Sequence, residues 1–325
     1  MRIAVDAMGG DHAPAEVVLG ASQAAAEYGI DISLVGLPAA VQPLLDKHPR
    51  LHFVPCTQVI AMDEHPAQAV RSKPDASICV CSRMSREGRA DGWMSAGNSG
   101  AVMAAALFIQ GRIKGVERPA LGSIVPTQEG FAYFLDVGAN VDSKPEYLVQ
   151  FAEMGAVYAR EMMGRPNPRI GLLSNGEEEG KGDERVKETS RRLRDTLSGF
   201  IGNVEPKDIY RDRADVIVAD GFVGNVAIKM AEATADFLFR NLRDEIPKTM
   251  LGKLGGMLIR PGVRQIRARI DWREFGGAPL LGIDGVAVVA HGRSDARAIK
   301  NAIRVARDAV QNQLVGKIRA EVGKS

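Results

Sequence analysis

The chain has 325 residues, is 45% hydrophobic and 25% charged, and carries a net charge of +2. That balance excludes a disordered or fibrous protein, and no apolar run approaches the roughly 20 residues of a membrane span. Aromatic residues make up 5% against 35 glycines, which suits ligand-facing turns and not a stacking platform for single-stranded nucleic acid.

The chain opens directly into a buried-strand pattern at 2–6 with no signal-like segment, so a cytoplasmic protein is expected. Further strands are predicted at 32–35, 52–54, 92–95, 122–125, 132–136, 169–173, 214–219 and 286–290. Helical periodicity appears at 15–28, 39–47, 101–110, 145–163 and 184–197. This alternation predicts an α/β protein with a doubly wound, mostly parallel sheet covered by helices on both faces. Residues 1–325 read as a single α/β catalytic domain without an internal repeat. Cys56, Cys79 and Cys81 have no metal-ligand spacing, and Cys79 and Cys81 face different sides of a helical stretch. Reduced thiols, no metal and no cofactor are expected.

Glycine-rich loops follow the strands. The most informative is Ser95-Ala-Gly97-Asn98-Ser99-Gly100-Ala101, which runs from a strand into a helix. Glycines let backbone approach a ligand, and a helix N-terminus offers free N–H groups to an oxyanion such as phosphate. The stretch has neither the Walker ending nor the Gly-x-Gly-x-x-Gly of dinucleotide binders. Similar loops are Asp6-Ala-Met-Gly9-Gly10-Asp11-His12, Asp136-Val-Gly138-Ala-Asn140, Ser174-Asn175-Gly176-Glu177-Glu178 and Asp220-Gly-Phe-Val-Gly224-Asn225. In a parallel sheet their convergence on one rim, as a shared active site, is the expectation.

Residues 240–273 stand apart, with nine basic and three acidic side chains, so the remainder of the chain carries −4. Apolar residues recur at Met250/Leu251, Leu254 and Met257/Leu258, and again at Val263, Ile266 and Ile270 beyond Pro261-Gly262. Two short amphipathic helices joined at Pro261-Gly262 are predicted, a basic hairpin inserted in the domain. Its faces suit an anionic membrane or an acidic protein. A lone aromatic, Trp272, and no recognition module argue against nucleic acid.

Taken in order, these motifs resemble the phosphate acyltransferase family of bacterial phospholipid synthesis. The likeness runs from Asp6-Ala-Met-Gly-Gly-Asp11 through Glu117-Arg-Pro-Ala-Leu121, Lys181-Gly182 and Gly276-Gly-Ala-Pro-Leu-Leu-Gly282 to His291-Gly292 and Asn301-Ala-Ile303. The resemblance implies a fold like that of phosphotransacetylase and isopropylmalate dehydrogenase. It implies acyl transfer from acyl-acyl carrier protein to inorganic phosphate by a homodimer at the membrane surface. The acyl phosphate would then pass to a membrane glycerol-phosphate acyltransferase. Ser99 stands where relatives commonly carry Thr, and Phe275 where they carry Tyr. Some members have Phe-Gly in place of His12-Ala13, so His12 is given no catalytic part.

Phosphate is already largely dianionic at neutral pH, so the chemistry needs positioning and oxyanion stabilisation more than a nucleophilic side chain. The resemblance points to Gly97, Asn98, Ser99, Gly100, Gly10, Asp11, Asn140 and Gly224 for phosphate or substrate. Lys181 is expected to neutralise charge, Asn225 to donate to the thioester carbonyl, and His291 to protonate the leaving thiolate. Leu251, Leu254 and Leu258 are the expected membrane contacts. A short-chain phosphotransacetylase, a nicotinamide-dependent dehydrogenase and a membrane-surface scaffold remain the alternatives.

Overall fold

The structure, a computed structural model, describes residues 1–45 and 48–322. The first half comprises β1 (Arg2–Asp6), α1 (Ala15–Tyr28), β2 (Asp31–Gly36), α2 (Pro38–Val41), β3 (Leu51–Pro55), α3 (Pro66–Ser72), α4 (Ser77–Arg86), β4 (Gly92–Ser95) and α5 (Ser99–Ala105). The chain continues through β5 (Ala120–Pro126), β6 (Phe131–Leu135), α6 (Pro145–Met163), β7 (Ile170–Leu173), α7 (Glu184–Thr196), β8 (Phe200–Val204) and β9 (Val216–Val218). It closes with α8 (Gly221–Glu245), α9 (Met250–Arg269), α10 (Trp272–Phe275), β10 (Ala278–Leu281), β11 (Val286–Val289), α11 (Ala296–Gln311) and α12 (Leu314–Glu321).

The strands form one sheet in the order β3-β2-β1-β4-β11-β10-β5-β6-β9-β7-β8. Seven of its ten pairings are parallel; β10 pairs antiparallel with both β11 and β5, and β5 antiparallel with β6. Successive strand residues point to opposite faces, and both faces are covered. Ile3 and Val5 of β1 pack into the core under α1 and α11, whereas Ala4 joins the core under α4 and α5. Met94 and Trp93 of β4 divide in the same way.

The directions of these strands overturn the expectation of one rim. Because β10 runs against both its neighbours, β5 is parallel to β11, and β6, β9, β7 and β8 run opposite to β1–β4 and β11. The glycine loops therefore fall into two groups, one at the ends of β1, β4 and β11 and the other at the ends of β6, β7 and β9.

Other departures have local causes. β8 contains Gly202 and β10 contains Pro279, residues that weaken a strand signal. The helix expected at 39–47 shortens to α2 and a 3₁₀ turn at Gln42–Leu44, and its end at 46–47 lies outside the described residues. The expected break at Pro261-Gly262 is absent. α8 runs for 25 residues, the chain turns at Ile246–Lys248, and α9 continues through Pro261. Proline removes one helical hydrogen bond, and no residue of α9 is buried, so solvent can satisfy the carbonyl that is freed. At the base of this hairpin, Arg273 donates to Asp271 (2.6 Å) and to Asp295 (3.1 Å), the cap of α11.

Candidate active site

The first group of loops is organised by a carboxylate with almost no solvent contact. Asp6, at the end of β1, accepts from the Met8 N–H (3.0 Å) and from Ser95 Oγ (2.7 Å) at the end of β4. Burial pushes its carboxyl above the usual range, while hydrogen bonds from Ser77 and Ser95 pull it back. Ser95 Oγ also accepts from the Gly97 N–H at 3.0 Å. Gly10 has φ +108°, and a Cβ there would meet the Gly292 carbonyl oxygen at 3.0 Å; the Asp11 N–H donates to that same oxygen at 2.7 Å. The loops bearing Gly10 and Asp11, Gly97 to Gly100, and His291 and Gly292 are thereby packed together.

Within this group Asn98 is committed to structure. Its side-chain oxygen caps α5 by accepting from Ala101 N–H (3.1 Å), and its amide donates to the carbonyls of Met62 (3.1 Å) and Glu64 (3.0 Å). With the Gly97 N–H donated to Ser95, the N–H groups left without helical partners are those of the first turn, at Ser99 and Gly100. Ser99 is exposed and Gly100 partly so.

In the second group, Asp136 has no solvent exposure and accepts five hydrogen bonds. The donors are the N–H groups of Leu121, Gly138, Ala139 and Asn140 and the Asn140 amide, at 2.8–3.1 Å. Asn140 also donates to the Pro119 carbonyl at 2.7 Å, so both N–H bonds of its amide are engaged. α8 begins against this loop, capped by Asp220, which accepts from Phe222 and Val223 N–H. A methyl group on Gly224 would fall 1.8 Å from the Asp136 carbonyl oxygen, so only glycine permits this approach. Asn225 follows, partly buried, with its amide beside Gly138.

Lys181 is exposed on the neighbouring loop, where its N–H donates to the Glu178 carbonyl (3.0 Å). That loop connects to the cap of α8 through Arg185, which donates to Asp220 at 3.0 Å. Lys181 thus belongs with the second group and not with the Ser99–Gly100 turn.

α8 joins the two groups. Asn225, Lys229 and Glu232 follow at i, i+4 and i+7, one helical face, and span about 10 Å of axis. Asn225 touches the Asp136 loop, whereas Glu232 pairs with Arg293 at 3.7 Å, two residues past His291. His291 lies among Arg293, Glu232, Asp11 and Lys229; desolvation first, then the Arg293 charge, hold its pKa below 6.5, with Glu232 and Asp11 opposing. It is therefore mainly neutral at pH 7, able to accept a proton and to hand one on.

Asp6, Ser95, Lys229, Glu232 and Arg293 were not assigned from sequence. The spacing of Lys229 and Glu232 from Asn225 was the available signal for two of them. Among the described residues no group of three or more His, Cys, Asp and Glu is placed to hold a metal ion. Burial pushes the thiols of Cys56 and Cys79 up to about 11 and raises Cys81 well above the usual thiol value, which leaves no thiolate nucleophile.

The fold defined by this sheet is that of the phosphotransacylases. A phosphotransacetylase from Streptococcus pyogenes superposes with a TM-score of 0.67 at 16% identity, covering 96% of this chain and 94% of its own. A branched-chain phosphotransacylase from Enterococcus faecalis gives 0.61 at 14% identity, covering 95% and 99%. At the sequence level, a family profile described as "Fatty acid synthesis protein" matches residues 1–317. The phosphate acyltransferase of Heliobacterium modesticaldum is 51% identical over 327 residues, covering 99% of this chain and 98% of its own. That of Geobacillus thermodenitrificans is 46% identical over 327 residues, with full coverage of both. The chain belongs to the phosphate acyltransferase family and is an acyltransferase.

Proposed function

We propose that this enzyme moves a long-chain fatty acyl group from an acyl carrier protein thioester to inorganic phosphate, giving acyl phosphate and free carrier for phospholipid synthesis. The observation that carries the reading is the face of α8, which places the Asn225 loop and the His291 loop along one helix. Phosphate docks on the Ser99 and Gly100 N–H groups beside Gly10 and Asp11. A phosphate oxygen attacks the thioester carbonyl, forming the O–C bond as the C–S bond breaks. Asn225 donates to the developing oxyanion, an interaction worth about 3 kcal/mol in comparable sites. Neutral His291 takes the phosphate proton and passes it to the departing thiolate. Lys181, further along the sheet, draws in phosphate charge. Gly97, Asn98, Asn140 and Gly224 act by fixing the loops that carry these groups.

The exposed hairpin extends the reading to the membrane. Leu251, Leu254 and Leu258 of α9 are 83%, 53% and 75% exposed beside the basic face, so their insertion at the inner, anionic surface would remove apolar area from water. No helix among the described residues is long and apolar enough to cross a membrane, so this contact is peripheral. Acyl phosphate made there can partition to a membrane acyltransferase that acylates glycerol phosphate. The apolar side chains left exposed on α8, such as Val226, Met230 and Phe237, suit a homodimer. Leu254→Glu should abolish co-sedimentation with anionic liposomes while leaving the thermal midpoint within about 2 °C; unchanged co-sedimentation contradicts the membrane contact.

Purified protein with palmitoyl-acyl carrier protein should release carrier thiol only when phosphate is present, with matching acyl phosphate seen by mass spectrometry. Turnover with acetyl-coenzyme A alone would make it a short-chain enzyme.

A further inference from the structure

The segment 59–65, which leads from β3 into α3, takes no part in the proposed reaction, yet it lies against the first group of loops. Three of its carbonyls, those of Ala61, Met62 and Glu64, accept from the Asn98 amide at 3.4, 3.1 and 3.0 Å. Its ends are fixed as well. Lys73 Nζ donates to the Val59 carbonyl at 3.0 Å and pairs with Glu64 at 2.7 Å, and Glu64 accepts from the Ala61 N–H at 2.7 Å. These bonds make the segment a clamped strap and not a swinging lid.

The strap meets the proposed phosphate site at two points. Where it enters α3, Pro66 packs so closely on Gly100 that a Cβ there would fall 2.6 Å from the proline ring. At its middle, Met62 Cε lies 3.3 Å from the place a Cβ on Gly292 would take, and an Asp11 carboxylate oxygen lies 3.6 Å from the same place. Met62 thus stands over the Asp11 and Gly292 loops while remaining 51% exposed. A flexible thioether side chain in that position gains contact area only when an apolar group is laid against it.

A thioester carbonyl beside bound phosphate is also open to water. Attack by a water oxygen breaks the same C–S bond, one water proton going to the departing thiolate and the other to solvent, and the acyl group is lost as fatty acid. We propose that Met62 is a specificity-determining residue that selects phosphate over water. Its thioether end lies against the acyl carbons next to the thioester and keeps water from the carbonyl, while phosphate is held on the Ser99 and Gly100 N–H groups. The proposal rests on the acyl transfer put forward above and adds to it the group that sets the acceptor. Asn98 acts through the strap, as a positioning residue.

The test gives palmitoyl-acyl carrier protein and saturating phosphate to the unmodified protein, Met62→Ser, Met62→Leu and Asn98→Asp. Initial rates of palmitate and palmitoyl phosphate formation are measured separately by mass spectrometry, before acyl phosphate can break down. Met62→Ser should raise the ratio of palmitate to palmitoyl phosphate at least about fivefold, with KM for phosphate within about twofold. Met62→Leu, apolar and of similar volume, should stay within about twofold of the unmodified ratio. Asn98→Asp keeps an oxygen to cap α5 but loses the amide donor, so it should raise the ratio with Met62 still in place. Because Met62 is exposed, thermal midpoints of its variants should be unchanged, and these variants decide alone if Asn98→Asp does not fold. An unchanged ratio in Met62→Ser, or an equal rise in Met62→Leu, overturns the proposal. So does a higher KM for phosphate at an unchanged ratio, which would assign Met62 to phosphate binding. A folded Asn98→Asp with the unmodified ratio overturns the positioning role of Asn98. If the unmodified protein forms no palmitoyl phosphate at all, the proposed function itself fails and the role of Met62 falls with it.

Discussion

Two loops of this molecule are built around buried aspartates, and they differ in how much backbone each aspartate consumes. Asp136 accepts five hydrogen bonds from its own loop and from Leu121, closing the turn on itself. Asp6 instead reaches Ser95 on another strand, and Ser95 in turn fixes Gly97. In the second sheet block the donors are exhausted, so its loop serves as an anchor for the start of α8. In the first block one serine sets the turn, and the N–H groups just beyond it at Ser99 and Gly100 stay available to a ligand. The comparison separates a loop whose donors are spent on anchoring α8 from a loop that keeps donors for the proposed phosphate.

The largest expected effect breaks the anchor. Asp136→Ala would leave several buried N–H groups without acceptors, each worth about 1–3 kcal/mol. Loss of at least about 4 kcal/mol in urea unfolding is therefore expected, with turnover lost alongside; a midpoint near that of the unmodified protein would contradict the anchor. Ser95→Ala sharpens the difference. It removes the relay from Asp6 to Gly97, with an expected stability loss of only about 1–2 kcal/mol. Turnover should nevertheless fall ten- to a hundredfold, because a displaced donor turn costs most in the transition state. Stability falling without a larger drop in kcat would make both loops mere scaffolding.

The smallest effect concerns His291. Its folded pKa lies below the unfolded value of 6.5, so between those two values the unfolded chain binds more protons. The stability that this group contributes is complete above pH 6.5 and is lost as the pH falls through the folded pKa. In His291→Gln the acid limb of the stability profile should flatten slightly, because the residue keeps enough contact with solvent to screen its charge. Its effect on kcat at pH 7 should be much larger than its effect on stability, as expected of a group that moves a proton. Equal turnover in the variant removes His291 from the mechanism.

Much of the fold was legible because the hydrophobic period changes cleanly along the chain. Helices Ala15–Tyr28 and Pro145–Met163 and strands Arg2–Asp6 and Gly92–Ser95 have the bounds that the pattern predicts. β10 was missed because Pro279 sits inside a four-residue strand; its two antiparallel pairings leave β5 parallel to β11, and the antiparallel β5–β6 pairing then reverses the rest of the sheet. No periodicity reports strand direction, which is why the loops looked destined for one rim. The α8–α9 turn was misplaced because proline usually ends a helix, a rule that fails for Pro261 in a helix exposed along its length. The glycine motifs do mark loops that follow β1, β4, β6, β7 and β9. They could not tell that the side chains of Asn98 and Asn140 are occupied by backbone partners far away in sequence, Met62, Glu64 and Pro119.

The most direct measurement is the response of backbone amides to inorganic phosphate, by NMR on protein labelled with ¹⁵N-glycine and ¹⁵N-serine. The account predicts saturable shifts concentrated at Ser99, Gly100 and Gly10, with Gly138 and Gly224 nearly still. Shifts centred on Gly138 or Gly182, with Ser99 and Gly100 unmoved, would contradict it and place phosphate on the other block of the sheet.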